Sequence, residues 1–468
     1  MWVVSLCLAV ATLLYYARWA YKWRNPRCSG VLPPGSMGLP LIGETLELLI
    51  PSYSLDLHPF IRKRVQRYGP IFRTSLAGRP IIVSVDPEFN NHIFQQEGRL
   101  VEIWYLDTFA KLFALEGESR FTRVGLVHKY IRRIFLNHFG SDILREKLLQ
   151  QIEEGVERCL RKWSSQPCIE VKEAAFAMMF DFAGRQLFSY DAHETSADAT
   201  NERFNGFLRG FLAFPLNVPG TAYHRCLKEH RKFIDMLKGT LRERLNSGKT
   251  SNVDFLDEAI DSMHDQDFLT EDFIVQMMFV GIFASSETIS SMAMIFKLLS
   301  ETPAVLEELR AEHKLILEKR EGQSTALCWD EYKSMTFTMQ VINETLRLAN
   351  FAPWLLRRAV QDIPVNGFMI PKGMSIMAVT AALHTNHDVF ENPLEFNPWR
   401  WKNFKPFGGG MRQCVGAEYT RAFLCAFLHV LVTKFRWTEI KIGDVYRNYV
   451  LCFKDGINIK ISESGKSL

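Results

Sequence analysis

The ten residues Phe407-Gly408-Gly409-Gly410-Met411-Arg412-Gln413-Cys414-Val415-Gly416 constrain this chain more than any other stretch of it. Glycine accepts backbone angles that other residues resist and lets the main chain approach a ligand closely, so the run reads as a loop packed against something flat. From Ala417 onward the apolar spacing becomes helical. A cysteine just before a helix N-terminus lies in the field of the helix dipole and of unpaired N–H groups, which favours its thiolate. The other cysteines are Cys7, Cys28, Cys159, Cys168, Cys226, Cys328, Cys425 and Cys452. Their spacing is irregular and no pair stands as C-x-x-C, so they form neither a disulfide framework nor a zinc site. A reducing compartment is expected, with most of these thiols serving as small buried hydrophobes.

A thiolate on haem iron pushes electron density toward bound oxygen and favours O–O cleavage. The guanidinium of Arg412 suits the carboxylate of a haem propionate. With F-x-x-G-x-R-x-C-x-G set ahead of a helix, the chain resembles the cytochrome P450 family over essentially its whole length. The resemblance implies a mainly α fold with small β-sheets. It also implies haem b, with Cys414 as the iron ligand and Phe407 and Arg412 against the cofactor.

Further segments match the family in order. Glu344-Thr345-Leu346-Arg347 resembles its E-x-x-R, with two side chains one helical turn apart and able to pair. Phe396-Asn397-Pro398-Trp399-Arg400-Trp401 resembles the element that supplies a third member, Arg400. These three are implied to be structural. Glu307-Glu308-Leu309-Arg310 has the same spacing and reads as a solvated helix face. Ala284-Ser285-Ser286-Glu287-Thr288 resembles the oxygen-activation motif, in which Glu287 and Thr288 relay protons toward the oxygen being activated. The residues alone also allow a threonine bonded back to the preceding turn and a glutamate paired elsewhere. Ser285 stands where the family has glycine, and Ile289 where it has a second hydroxyl. For the propionates, His128 and Arg132 occupy the W-x-x-x-R positions, and Arg357 resembles the strand arginine, with Arg358 as the alternative. Between Arg400 and Phe407 only Trp401 to Pro406 intervene, a shorter segment than in close relatives.

The N-terminus points to a membrane. Residues 2–17 are apolar and uncharged, and Trp19, Tyr21 and Trp23 come next among Arg18, Lys22, Arg24 and Arg27. Spanning takes about 20 residues of helix, which the aromatic flank completes. A cleaved signal peptide is the alternative, but no basic n-region precedes the run and no small-x-small site comes after it. The basic flank places the remainder of the chain on the cytoplasmic side. The expected organisation is an anchor with its basic flank over 1–30 and a haem-thiolate catalytic domain over 31–468, held at the endoplasmic reticulum membrane. The turn-rich Leu32-Pro33-Pro34-Gly35-Ser36 joins them. No linker, repeat or low-complexity tract divides the catalytic domain. A net charge of +4 without a basic stripe carries no nucleic-acid footprint.

Helical spacing covers His58–Tyr68, 128–163, 170–188, 224–246 and Asp330–Arg347. The longest run starts near Asp272 with Thr270 as a cap and passes Leu299. Its polar middle argues against a second span, since a glutamate there is costly in lipid. Ile71–Ser75 and Ile81–Val85 read as a hairpin around Gly78-Arg79-Pro80. Short strands are expected after Pro353.

Within the family the chain resembles plant oxidases of sterols and tetracyclic triterpenes, of the cucurbitadienol-oxidase and brassinosteroid-oxidase kind. Leu32–Glu44, Tyr105-Leu106-Asp107, Phe214–Tyr223 and Cys414–Leu424 carry that likeness. It implies a monooxygenase that draws electrons from NADPH through a cytochrome P450 reductase and hydroxylates a hydrophobic polycycle. With 47% apolar residues and 35 Phe, the chain can bury a core and still line an apolar cavity. Expected walls are Ile103–Phe109, Phe207–Phe214, Met277–Ala284 and Phe351–Leu355. Two alternatives remain: a haem-thiolate isomerase or dehydratase, and a haem or sterol binder inactivated by the short segment before the loop.

Overall fold

The helix Glu271–Glu301 packs against several others, among them Val171–Phe188, Ala222–Ser247, Thr336–Ala349 and Ala417–Lys434. Thr270 caps it, its hydroxyl accepting from the Phe273 N–H at 3.3 Å, and Glu271 and Asp272 sit in the first turn where the dipole favours anions. A computed structural model describes residues 2–113, 125–190, 204, 206–208, 210, 211, 213, 216–247, 253–320, 326–400, 406–448 and 450–465. Most of the described chain is helical, and the sheets are small. The core is built around the five helices just named, with Phe279, Phe296, Phe423 and Phe427 wholly buried among them.

Two long helical stretches read from spacing are broken. Residues 128–163 divide at Gly140, between Leu126–Phe139 and the turns leading to Leu149–Ser164. Gly140 is extended and its N–H closes onto the Leu136 carbonyl. A Cβ there would lie 2.3 Å from that oxygen, so glycine is required. The other stretch divides at Met335, between Trp329–Ser334 and Thr336–Ala349. Apolar spacing runs on through both breaks, which is why it conceals them.

The largest sheet has five strands in the order Ile71–Leu76, Arg79–Ser84, Ser375–Ala378, Leu355–Ala359 and Val101–Ile103. The second and third pair in parallel and the other pairs are antiparallel. Ala77 and Gly78 both have positive φ at the first hairpin, the geometry of a turn that matches strand twist. A three-stranded sheet, Ile169–Glu170, Ile457–Glu463 and Phe435–Ile442, ties the chain's end to its middle.

The helix Trp2–Arg24 is long and apolar enough to cross a membrane, and it stands clear of the core. Its last turn is fastened: the Trp23 indole donates to the Gly78 carbonyl at 2.9 Å, and Arg73 donates to the Arg24 carbonyl at 2.9 Å. Glu271–Glu301 passes the same length test but is largely buried, as expected of a core helix. The thiols differ from expectation. All nine are free, yet only Cys226 and Cys425 are buried, while Cys7, Cys168, Cys328 and Cys414 are exposed. Cysteines on surface helices and turns have no core to enter, so burial depends on position here rather than on residue type.

Candidate active site

The glycine loop closes on itself where the Cys414 N–H donates to the Phe407 carbonyl at 3.0 Å. Gly408 and Gly410 take φ of 73° and 67°, the left-handed region. A Cβ on Gly410 would meet the Phe94 carbonyl at 2.3 Å, so the loop is pressed against the end of the helix Pro87–Gln95. At Gly408, Gly409 and Gly416 a Cβ would meet nothing within 4 Å, which leaves one side of the loop open to a planar group.

The Cys414 thiol keeps accessible surface although protein surrounds it. Burial raises its pKa above the ordinary thiol value, while the Gly416 N–H, Arg132 and Arg421 act in the opposite direction. The helix start therefore does not by itself yield a thiolate; an iron ion at the sulfur would. Arg421 lies 4.7 Å over the Phe407 ring and locks that side chain beside the loop.

Basic groups gather next to the thiol. Arg132 donates to the Gln413 carbonyl at 2.6 Å. In the strand Leu355–Ala359, neighbouring side chains point to opposite faces. Arg357 is buried with its Nε 2.8 Å from Glu97, while Arg358 turns to the Trp104 ring. Arg412 Nε lies 3.6 Å from the other oxygen of the same carboxylate. The Ile103 N–H donates to Glu97 at 3.1 Å. His128 is pushed down to about 4 by burial, then by Arg412 and Arg132, so its imidazole is neutral at physiological pH. Haem carries two propionates, and these residues fit it: an accessible thiol, an open-faced loop and an enclosed excess of positive charge.

Glu344, Arg347 and Arg400 meet as one buried knot. Arg347 binds Glu344 through two bonds of 2.8 Å and donates to the carbonyls of His384 and Pro393, each at 2.6 Å. Arg400 Nε is 3.0 Å from Glu344. Its other nitrogens donate to the carbonyls of Glu391, Asn392 and Glu395. The knot clamps the helix Thr336–Ala349 to the segment before the loop. Of the short stretch Trp401 to Pro406, residues 401–405 lie outside the described residues.

On the central helix the Ser285 and Ser286 hydroxyls donate to the Ile282 and Phe283 carbonyls at 2.7 Å, and Ser291 donates to Glu287 at 3.2 Å. The Thr288 hydroxyl makes no such bond to any described residue, so it is not held back by its own helix. Ala284 and Glu287 keep accessible surface in mid-helix. Burial raises the Glu287 pKa from 4.5 to about 7, with Lys172 opposing it. An aromatic row joins this turn to the basic cluster. Tyr105 stacks on Phe109 at 4.8 Å, Phe109 on Phe113 at 4.3 Å, and Phe113 meets Phe283 edge-on at 4.7 Å. Phe207 and Phe211 close over Phe283 at 6.2 and 5.4 Å. Phe214 lies outside the described residues, as do 209 and 212.

His128, Arg132, Arg357, Phe407, Arg412 and Cys414 thus lie together, and Glu287 and Thr288 follow, on the same helix, the Phe283 that the aromatic row meets. Glu97 and Arg421 were not anticipated. Neither belongs to a recognisable spacing: Glu97 comes after two glutamines at a helix end, and Arg421 reads as one more charge on a helix.

A family model described as Cytochrome P450 matches residues 33–450. The chain is 49% identical to a cucurbitadienol 11-hydroxylase from Siraitia grosvenorii, with 99% of each chain covered. It is 48% identical to a beta-amyrin 16-alpha-hydroxylase from Maesa lanceolata, with 100% of each covered. Among solved structures it resembles the retinoic acid bound cyanobacterial CYP120A1, with a TM-score of 0.81 at 24% identity, over 93% of this chain and 100% of that one.

Proposed function

The chain belongs to the cytochrome P450 family, and from that premise we propose that this monooxygenase hydroxylates a polycyclic triterpenoid or sterol. The observation that carries the reaction class is Cys414. Its thiol is accessible, enclosed and faced by Arg132, with Arg412 in the same loop. The substrate class rests on near-half identity to two triterpenoid hydroxylases along the whole chain.

Bound haem b would supply dioxygen activation, with Cys414 as the residue that would ligate its iron. The chain's own residues supply everything around that chemistry. Arg132, Arg357 and Arg412 would hold the propionates, with neutral His128 adding a hydrogen bond, and Phe407 would shield the sulfur. Glu344, Arg347 and Arg400 brace the loop. The free Thr288 hydroxyl donates a proton within the oxygen pocket, and Glu287, titrating near neutrality, replaces it. Phe109, Phe113, Phe211 and Phe283 exclude water and present flat apolar surface to a rigid scaffold. Residues 1–30 anchor the body, 31–468, at the cytoplasmic face of the endoplasmic reticulum, where an NADPH-cytochrome P450 reductase delivers electrons.

The test is reconstitution with that reductase and a panel containing cucurbitadienol, beta-amyrin and cholesterol. NADPH-dependent hydroxylation of at least one is expected. Turnover of none would remove the substrate class, and product formed without NADPH would favour an isomerase or dehydratase.

A further inference from the structure

The carboxylate of Glu97, whose side chain has no exposed surface, lies within ion-pair distance of both Arg357 and Arg412 beside the glycine loop. It is held from both ends of a short turn. Gly98 donates to the Val101 carbonyl at 2.7 Å, and the Ile103 N–H fixes one carboxylate oxygen. Ile103 also pairs in register with Arg357, so strand geometry sets carboxylate and guanidinium against each other.

The cluster carries a net positive charge before any ligand binds. Arg132, Arg357 and Arg412 carry three positive charges, and His128 is neutral. Glu97 cancels one and leaves two, the number that the two propionates of haem require. Unmatched charge in an enclosed site is costly, so this balance matters.

Resting on the haem-thiolate reading, we infer that Glu97 is a positioning residue that fixes Arg357 and Arg412 side by side and trims the cluster's charge to match haem. Both arginines approach the carboxylate through Nε, Arg357 at 2.8 Å and Arg412 at 3.6 Å. Without the carboxylate the two forks repel each other, and one surplus positive charge sits near the iron. That charge favours the ferrous state.

Spectroelectrochemical titration of the full-length holoprotein tests this. Glu97→Gln is expected to keep the thiolate-type spectrum of the reduced carbon monoxide complex. Its midpoint potential should move positive by about 59 mV, a tenfold change in a one-electron equilibrium. Glu97→Asp, which keeps the charge, should stay near wild type. If Glu97→Gln retains no haem, the charge-balanced pair Glu97→Gln with Arg357→Gln should recover it, and failure to do so counts against the inference. A Glu97→Gln protein with the thiolate spectrum and the wild-type potential overturns it. A wild-type protein without that spectrum overturns the haem-thiolate reading instead, and the role of Glu97 with it.

Discussion

Thr288 and Glu287 are neighbours on the central helix in different electrostatic and hydrogen-bonding states. The threonine hydroxyl makes no bond to its own helix, and the glutamate has been moved to a pKa near physiological pH by its surroundings. Replacing Thr288 by Ala should leave the haem spectrum intact while product formation falls roughly a hundredfold, the low end for a lost proton donor. Oxygen consumption should continue; simultaneous assay of both separates the outcomes. Glu287 is protonated below about 7 in the folded chain, against 4.5 for a free carboxyl. Its raised pKa stabilises the fold fully below 4.5, and that contribution is lost as pH rises through about 7. Product formed per oxygen consumed should fall across the same upper limit in wild type, and Glu287→Gln should abolish that pH dependence. Both residues were legible in the sequence because the motif around them is local. Their protonation was not legible, since it depends on burial contributed by distant segments.

Elements decide whether the site holds together. Arg347 is 1% exposed and joins a carboxylate to carbonyls from three other positions, so its loss strands several buried polar groups at once. Arg347→Ala should cost about 3–5 kcal/mol, seen as a lower thermal midpoint and poorer haem retention. Arg347→Lys should also destabilise, because an ammonium cannot span the fork. The E-x-x-R spacing pointed to this pair, yet it fits Glu307 and Arg310 equally well, and only the later Arg400 element distinguished them. Periodicity located the long helices but ran through Gly140 and Met335. Breaks of that kind are set by backbone closure, to which apolar spacing is blind. The carboxy-terminal sheet was missed because Phe435–Ile442 is exposed along much of its length and shows little buried-strand patterning.

At the scale of the whole molecule, the chain is a helical body with small sheets and one outlying apolar helix. Trp23 and Arg24 fasten that helix to the first hairpin, so it meets the body at a defined place. Deleting residues 1–24 should move the protein from membranes to the soluble fraction after high-salt extraction while its haem spectrum persists. Retention in the membrane fraction would mean that other surface contributes the binding. Fold and family were readable from a few spaced motifs because such motifs are local in the sequence. The electrostatics of the cluster were not, because Glu97 meets Arg357 and Arg412 only after more than two hundred residues of chain have folded between them. We propose Cys414 as the thiolate that would ligate a haem iron, and the carbon monoxide difference spectrum of the reduced protein tests this assignment most directly. Wild type should show the red-shifted band of a thiolate-ligated haem, and Cys414→Ala should lose it. A wild-type protein lacking the band, or a Cys414→Ala protein retaining it, would contradict the assignment.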